Sequence, residues 1–302
     1  MGISPDIDGP YTSTHYFRTR VGCTEAYFHD HPEIVASPGI LRGYTFDSPV
    51  VLMRTLEVFG LKDISIGSSV QNVPRLMMVR ETLLAHPEMR IIISYWDRPF
   101  FREYLDLLGL FPQAVLIPDS VHVLAPQIIV PAPVPCGQNV PRLLLEMRDV
   151  IYAAMAQRGV LQETQPQPQR EIVVIRRGGK RRVINHAEVM EALREQFGDT
   201  YPVVEFTSLS LIDTINMFRR ARVIVGPHGA GLTNILYTQP GTPVVEFMKD
   251  DPNACYASLA ANLGLPYYGF RVPGANHENS MTVDVDKVIE WTGRALRETV
   301  AK

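Results

Sequence analysis

The sequence is poor in cysteine and has no long apolar run. Its three cysteines, Cys23, Cys136 and Cys255, lie far apart in a chain of 302 residues. An odd number at such wide spacing argues against a disulfide scaffold and does not match the short spacings of zinc ligands. There is no apolar stretch of membrane-spanning length, no Asn-x-Ser/Thr sequon and no charged-then-apolar leader. We therefore expect a cytoplasmic location, with the luminal catalytic domain of a larger protein as the alternative.

An excess of positive charge is also missing. The chain has 29 Lys and Arg against 32 Asp and Glu, which gives a formal net charge of −3. This balance disfavours the extended basic face of a nucleic-acid-binding protein. Hydrophobic residues make up 46% of the chain, which is typical of a globular protein with a substantial core. The sequence predicts no nucleic-acid partner and no transmembrane segment, and it does not indicate an oligomeric state.

Apolar strands alternate with helical patterns over most of the chain, and this alternation predicts an α/β fold built on parallel sheets. A polar segment rich in Pro and Gln, from about residue 159 to 169, has the composition of a linker. We predict two Rossmann-like domains that face each other across a cleft. The predicted divisions are 1–160, 170–285 and a last helix, 286–302, that packs back on the first domain.

The most informative stretch runs from Ala221 to Asn234 and reads ARVIVGPHGAGLTN. It predicts a buried strand that breaks at Gly226 and restarts as a helix over Gly229–Leu236. The first turn of such a helix presents unpaired N–H groups and a positive dipole end, which favour an anion such as phosphate. An ordinary βα turn is the alternative. The predicted contacts are His228, Gly229, Ala230, Gly231, Leu232, Thr233 and Asn234.

Two further groups are expected at the same edge of the sheet. Glu246 ends the next apolar strand, where a carboxylate could accept hydrogen bonds from a ribose. The basic run Arg176–Arg182 follows an earlier strand, and arginine forks suit a diphosphate. We predict Arg176, Arg177 and Arg182 as phosphate contacts, against the alternative of a solvated basic loop.

The sequence lacks the motifs that are typical of several other enzyme classes. The chain has no Gly-x-Ser-x-Gly nucleophile elbow, no Walker loop and no dinucleotide fingerprint after the first strand of a half. Two Asp-x-Asp pairs occur, but Asp6–Asp8 lies in an irregular tail and Asp284 is better explained as a helix N-cap. We predict no metal site and no cofactor.

These segments resemble glycosyltransferase family 61. The resemblance rests on Val225–Asn234 with Pro240–Glu246, and is supported by Ile175–Arg177, Arg181–Asn185 and Leu209–Ile212. It covers residues 170–270 and implies the two-domain GT-B fold. It also implies an inverting, metal-independent transfer of a sugar from a nucleotide sugar, such as UDP-xylose or UDP-GlcNAc, to a hydroxyl of a glycan or polysaccharide. By this resemblance, Gly229–Asn234 would meet the diphosphate, Arg176 its charge and Glu246 the ribose.

The first half matches the family less closely. Family members show a His and an acid before a Pro-Arg-Leu segment, whereas Pro74–Leu76 here is preceded by neither. The base that deprotonates the acceptor is therefore sought elsewhere, with Asp97 first and His31 and Asp47 as further candidates. Asp97 follows a predicted strand, although it could instead cap the helix that begins near Pro99. A catalytically silent nucleotide-sugar-binding protein is the alternative function.

Overall fold

The computed structural model describes eleven stretches of the chain. They are residues 10–13, 17–21, 26–30, 43–53, 73–94, 99–117, 122–132, 139–162, 171–250, 253–276 and 279–298. The chain divides into two compact units, Met1–Ala154 and Met155–Lys302. We describe each unit by itself.

The described part of the first unit contains short strands and helices. The strands are β1 (Pro10–Ser13), β2 (Phe17–Val21), β3 (Ala26–Asp30), β4 (Gly43–Thr45), β5 (Val50–Met53), β6 (Arg90–Ser94), β7 (Ala114–Ile117), β8 (His122–Leu124) and β9 (Ile128–Pro131). The α-helices are α1 (Arg80–Ala85), α2 (Pro99–Leu107) and α3 (Pro141–Gln157), with 3₁₀ helices at Val73–Met78 and Phe111–Gln113.

The main sheet of this unit has the order β1-β9-β5-β6-β7. Strands β9, β5, β6 and β7 are parallel, and β1 pairs antiparallel with β9 at the edge. Apolar side chains of the parallel strands, including Val50, Ile91 and Ile92, are fully buried. The sequence pattern did not indicate strands β1 to β3. Strand β1 pairs with β9, more than a hundred residues away, whereas β2 and β3 pair with each other.

The second unit alternates strands and helices along the chain. Its strands are β10 (Glu171–Ile175), β11 (Val203–Phe206), β12 (Ala221–Pro227), β13 (Val244–Met248) and β14 (Tyr267–Arg271). Its α-helices are α4 (His186–Phe197), α5 (Leu211–Arg220), α6 (Cys255–Asn262) and α7 (Val285–Glu298), with a 3₁₀ helix at Ala230–Tyr237.

All five strands of the second unit are parallel, in the order β11-β10-β12-β13-β14. Apolar side chains such as Val173, Ile224 and Val245 are fully buried, as expected where helices cover both faces of a parallel sheet. The chain leaves β10 for one edge and then crosses to β12 on the other side. In such sheets, ligands bind outside the carboxyl ends of the strands at this reversal of strand order. The topology thus predicts a ligand-binding site at the carboxyl ends of β10 and β12.

Helix α7 packs on the sheet of its own unit. Val288, Ala295 and Leu296 belong to the same buried cluster as Val223 and Val245. Its N-terminus is capped as the sequence predicts, because Asp284 Oδ1 accepts a hydrogen bond from the Lys287 amide at 3.2 Å. The segment predicted as separate, 286–302, is therefore joined to the second unit over its described length.

Candidate functional site

Glycines at the end of β12 allow the chain to pass close to β10. A Cβ at Gly226 would lie 2.7 Å from Cβ of Ile175, and a Cβ at Gly231 would lie 2.6 Å from Ile175 Cγ2. Both distances are far below van der Waals contact, so any larger residue would force the strand and the turn apart. These two glycines therefore serve the packing between β10 and the turn, at the point where the strand order reverses.

Gly229 serves a different neighbour, the side chain of Arg177. A Cβ at Gly229 would lie 1.6 Å from Nη1 of Arg177, so the guanidinium rests directly on the glycine. Arg177 is half-buried, and its Nε donates a hydrogen bond to the Lys180 carbonyl at 2.7 Å. The structure thus brings the predicted residues Arg177, His228 and Gly229 together at the ends of β10 and β12.

The helix after this turn is of the 3₁₀ type. A helix was predicted over Gly229–Leu236, and the 3₁₀ helix extends over Ala230–Tyr237. The side chains of its first turns bond to local carbonyls: Thr233 Oγ1 donates to Ala230 O, and Asn234 Nδ2 donates to Gly231 O at 3.1 Å. Such bonds compete with regular α-helical pairing. Leu232 is fully buried and belongs to the core of the unit.

Glu246 is fully buried, and both of its oxygens are engaged by protein donors. Oε1 lies 2.5 Å from Nδ1 of His228, and Oε2 accepts a hydrogen bond from the Tyr267 hydroxyl at 2.7 Å. Since a carboxylate only accepts, His228 Nδ1 is the donor, and the Nε2 nitrogen is its second polar atom. Burial, followed by the charge of Glu246, raises the pKa of Tyr267. Glu246 therefore orients His228 in this structure, a role that the ribose prediction did not include.

Two residues that were not among the predicted contacts lie close to each other here. The Tyr256 ring lies 5.0 Å from the His228 ring in an edge-on arrangement, and the residue is 1% exposed. Arg181 belongs to the predicted basic run; its backbone is left-handed, with φ of 62°, and its amide donates a hydrogen bond to the Asn279 carbonyl at 3.1 Å. Tyr256 lies in no recognisable motif, because it comes from the start of α6 and contacts His228 only through the tertiary fold.

A cavity of about 580 Å³ opens on the other side of β10. It is bordered by Arg176, Arg177, Arg182, His186, Arg194 and Glu205. Glu205 on β11 accepts from His186 Nε2 at 2.7 Å and lies 3.4 Å from Nη1 of Arg176. Arg176 and Arg182 are exposed at this cavity, and Arg177 borders both the cavity and the glycine turn. The arginine side chains of this run thus border two neighbouring sites, the cavity and the glycine turn.

The electrostatics of Glu205 reflect opposing effects. Burial raises its pKa, but hydrogen bonds and charge from His186 and Arg176 outweigh burial and leave the pKa below the ordinary value of 4.5. Glu205 is therefore held as a carboxylate between two cationic or polar partners at the rim of the cavity.

The proposed bases of the first unit are not assembled into a site by the described residues. Asp97 and His31 lie outside those residues, and Asp47 is exposed in the loop before β5. The Pro-Arg-Leu segment has a structural role, since Arg75 is 4% exposed and donates from Nε to Ala132 O at 2.9 Å and from Nη2 to Pro131 O. Burial lowers the pKa of Arg75 to about 10.

Two features are absent from the described residues, a cluster of metal ligands and a membrane-spanning helix. In the part of the chain that the structure describes, no group of three or more His, Cys, Asp or Glu side chains could hold a metal ion. Within that same part, no helix combines the length and the apolar character needed to cross a bilayer. Metal independence and the absence of a cofactor stay predictions.

Comparison with known proteins identifies similar chains. A family model described as Glycosyltransferase 61 matches residues 68–245. The chain is 28% identical over 141 residues to a protein O-linked-mannose β-1,4-N-acetylglucosaminyltransferase 2 of Tetraodon nigroviridis, covering 45% of this chain and 24% of that protein. It is 28% identical over 95 residues to an EGF domain-specific O-linked N-acetylglucosamine transferase of Mus musculus, and this match covers 31% of this chain and 18% of the mouse protein. The match thus spans about a quarter or less of these relatives.

A solved structure is also similar. It is that of TibC from enterotoxigenic E. coli, an iron-containing dodecameric glycosyltransferase. The alignment has 13% identity and a TM-score of 0.36, and it covers 85% of this chain and 78% of that one. The fold described above rests on its own strand order.

Proposed function

The chain belongs to glycosyltransferase family 61, whose model matches more than half of its 302 residues, and we propose that it transfers a sugar from a nucleotide sugar to a hydroxyl of a glycan or polysaccharide. The observation that carries the proposal is the convergence of Arg177, His228 and Gly229 where the strand order reverses. That is the position at which parallel α/β sheets bind nucleotides. We further propose that the two units form the two halves of a GT-B enzyme.

In this proposal the donor diphosphate lies against the glycine turn. Arg177 rests on Gly229 and supplies a guanidinium that can bind phosphate oxygens through two N–H groups. The early amides of the 3₁₀ helix add further donors. The adjoining cavity of about 580 Å³ has the size of a small-ligand pocket and takes the rest of the donor.

The proposed transfer inverts the anomeric centre. The acceptor oxygen bonds to the anomeric carbon while the bond from that carbon to the phosphate oxygen breaks, and the electron pair leaves with the nucleoside diphosphate. A base takes the acceptor proton, and Asp97, His31 and Asp47 are the candidates in the first unit. Arg177 and the amides stabilise the charge of the leaving group without a metal ion.

The names of the relatives suggest which donor to test first. The Tetraodon and mouse proteins are both named as N-acetylglucosamine transferases acting on O-linked substrates. We therefore propose UDP-GlcNAc as the first donor, with UDP-xylose next. The acceptor class is a hydroxyl-bearing glycan.

A nucleotide-sugar-binding protein without turnover is the second candidate. It is favoured by the exposed loop position of Asp47 and by the structural use of Arg75, which leave this part of the first unit without an evident base. Binding measurements do not distinguish the two functions, whereas release of the nucleoside diphosphate does.

The test combines binding and turnover. A thermal-shift screen with UDP-, GDP-, CMP- and dTDP-sugars should raise the melting temperature for the correct donor by mass action, and NMR should then detect the released nucleotide. Arg177→Met should abolish both effects. Arg294→Met is the matched control, because Arg294 pairs with Glu298 on the exposed face of α7. If no nucleotide sugar stabilises the wild-type protein, the proposed function is wrong.

A further inference from the structure

The Tyr256 hydroxyl is a buried polar group that the proposed function does not yet use. Tyr256 is 1% exposed, and its hydroxyl has no hydrogen-bond partner among the described residues. A buried hydroxyl without a partner is uncommon in native proteins because its desolvation is not compensated. The described residues therefore do not supply the hydrogen-bond acceptor that this hydroxyl requires.

Two arginine side chains lie among the charged groups around this hydroxyl. Tyr256 packs against His228, His228 precedes Gly229, and Gly229 carries the guanidinium of Arg177. The charge of Arg181 also acts on the Tyr256 hydroxyl, and the buried Nε of Arg181 has no hydrogen-bond partner in the described structure. Burial raises the pKa of Tyr256, Cys255 and Glu246 raise it further, and Arg177 and Arg181 act in the opposite direction.

The nearby negative charge is already engaged. Both oxygens of Glu246 accept hydrogen bonds, from His228 and Tyr267. The Tyr256 hydroxyl and the guanidinium groups of Arg177 and Arg181 are all hydrogen-bond donors. Two of these donors, the hydroxyl and Arg181 Nε, have no acceptor among the described residues. Phosphate oxygens are acceptors that suit such a set of donors.

We propose that Tyr256, Arg177 and Arg181 form a buried oxyanion subsite that binds a phosphate group of the donor diphosphate. The proposal rests on the proposed function and deepens it by naming a phosphate ligand, Tyr256, that lies outside the glycine turn and the arginine-rich end of β10. The hydroxyl donates a hydrogen bond to a phosphate oxygen, and Arg181 contributes the second cationic side chain beside Arg177.

The test compares Tyr256→Phe with the wild-type protein, using UDP and inorganic pyrophosphate as probes in calorimetry. The variant should weaken the binding of both probes by about tenfold, as expected for one lost hydrogen bond to a charged group. It should also melt at the same temperature as the free wild-type protein or higher, because the substitution removes an uncompensated buried hydroxyl. Tyr268→Phe is the control and should bind as the wild type does, since the Tyr268 hydroxyl bonds to Glu298 at 2.7 Å on the surface.

The outcomes separate this inference from the proposed function. Unchanged affinity in Tyr256→Phe, with wild-type binding intact, overturns the subsite and leaves the transferase proposal standing. Wild-type binding of pyrophosphate without binding of any nucleoside diphosphate, weakened in Tyr256→Phe, supports the subsite and contradicts the transferase proposal. Failure of the wild-type protein to bind either probe overturns both.

Discussion

At the scale of single residues, the three glycines of the β12 turn have different functions. Gly226 and Gly231 meet the branched side chain of Ile175, whereas Gly229 meets the mobile end of Arg177. The φ of Gly229 is 159°, in a region that residues with a side chain rarely adopt. A substitution at Gly229 should therefore affect both binding and folding.

Gly229→Ala should displace the Arg177 guanidinium, because the new Cβ would lie 1.6 Å from Nη1. We expect UDP affinity to fall by about tenfold or more, since a charge-assisted contact is lost. The free energy of unfolding should fall by about 1–3 kcal/mol, because alanine is strained at this φ even though the Arg177 side chain can move away. Calorimetry and urea denaturation measure the two effects.

The matched control for this prediction is Gly178→Ala. A Cβ at Gly178 would have no neighbour within 4 Å, and the residue lies next to Arg177 in sequence. Its affinity and stability should equal those of the wild type. Equal loss of affinity in both variants would show that general loop effects, rather than the contact with Arg177, control binding.

Glu205 supports a prediction on pH dependence. Because its pKa in the folded protein is lower than the ordinary 4.5, the ionised carboxylate stabilises the fold above that pH. The contribution is lost as the pH falls through the lowered pKa. Urea denaturation should therefore find Glu205→Gln less stable than the wild type at neutral pH, with the difference shrinking below pH 4.5. A difference that stays constant with pH would contradict the role assigned to His186 and Arg176.

At the scale of elements, the sequence predicted the strands of the second unit closely. Strand Val203–Phe206 and helix His186–Phe197 fit the predicted alternation, because apolar runs and regular helical periodicity are local signals. The helix predicted after β12 forms within one residue of its predicted bounds, as a 3₁₀ helix. Thr233 and Asn234 were read as groups free to meet a ligand, but their side chains bond to carbonyls of the same turn.

The residues of the candidate site were predictable only where they lie in a local motif. The glycine turn and the arginine run are contiguous in sequence, and Arg177, His228 and Gly229 do converge. Tyr256 and Tyr267 were missed because they meet His228 and Glu246 only through tertiary contacts. The same dependence on tertiary contacts explains why Glu246 faces His228 and Tyr267.

The contact between the turn and β10 leads to a prediction that distinguishes two glycines. Gly231→Ala would meet Cγ2 of Ile175, whereas Gly226→Ala would meet its Cβ. Each should destabilise the protein by about 1–3 kcal/mol through overpacking. Ile175→Ala removes Cγ2 but keeps Cβ, so it should relieve the first clash and leave the second.

Double-mutant cycles measured by urea denaturation test this distinction. Ile175→Ala alone should cost about 2–5 kcal/mol as a core truncation. Its combination with Gly231→Ala should be more stable than the sum of the single effects by about 1 kcal/mol, and its combination with Gly226→Ala should be additive. Equal coupling energies in both cycles would mean that the whole turn shifts to accommodate either alanine, so that the clash with Cγ2 of Ile175 does not control stability.

At the scale of the whole molecule, the residues proposed for the donor lie in one unit. Arg177, Arg181, His228 and Tyr256 all belong to Met155–Lys302, and the proposed bases belong to Met1–Ala154. The sheet of the second unit has its own buried cluster, to which α7 contributes Val288 and Leu296. Donor binding and acceptor activation are thus assigned to different units.

This division predicts that residues 155–302 fold alone and bind UDP as tightly as the whole chain, without transferring sugar. The start of the fragment is held by its own contacts, since Asn216 Nδ2 donates to Val160 O at 3.0 Å and Arg220 Nη1 donates to Gln162 Oε1 at 2.5 Å. Circular dichroism, calorimetry and NMR of nucleotide release measure the three properties. A folded fragment that does not bind UDP would mean that the first unit completes the donor site. A fragment that transfers sugar would move the base into the second unit, where His186 beside Glu205 would become the first residue to mutate.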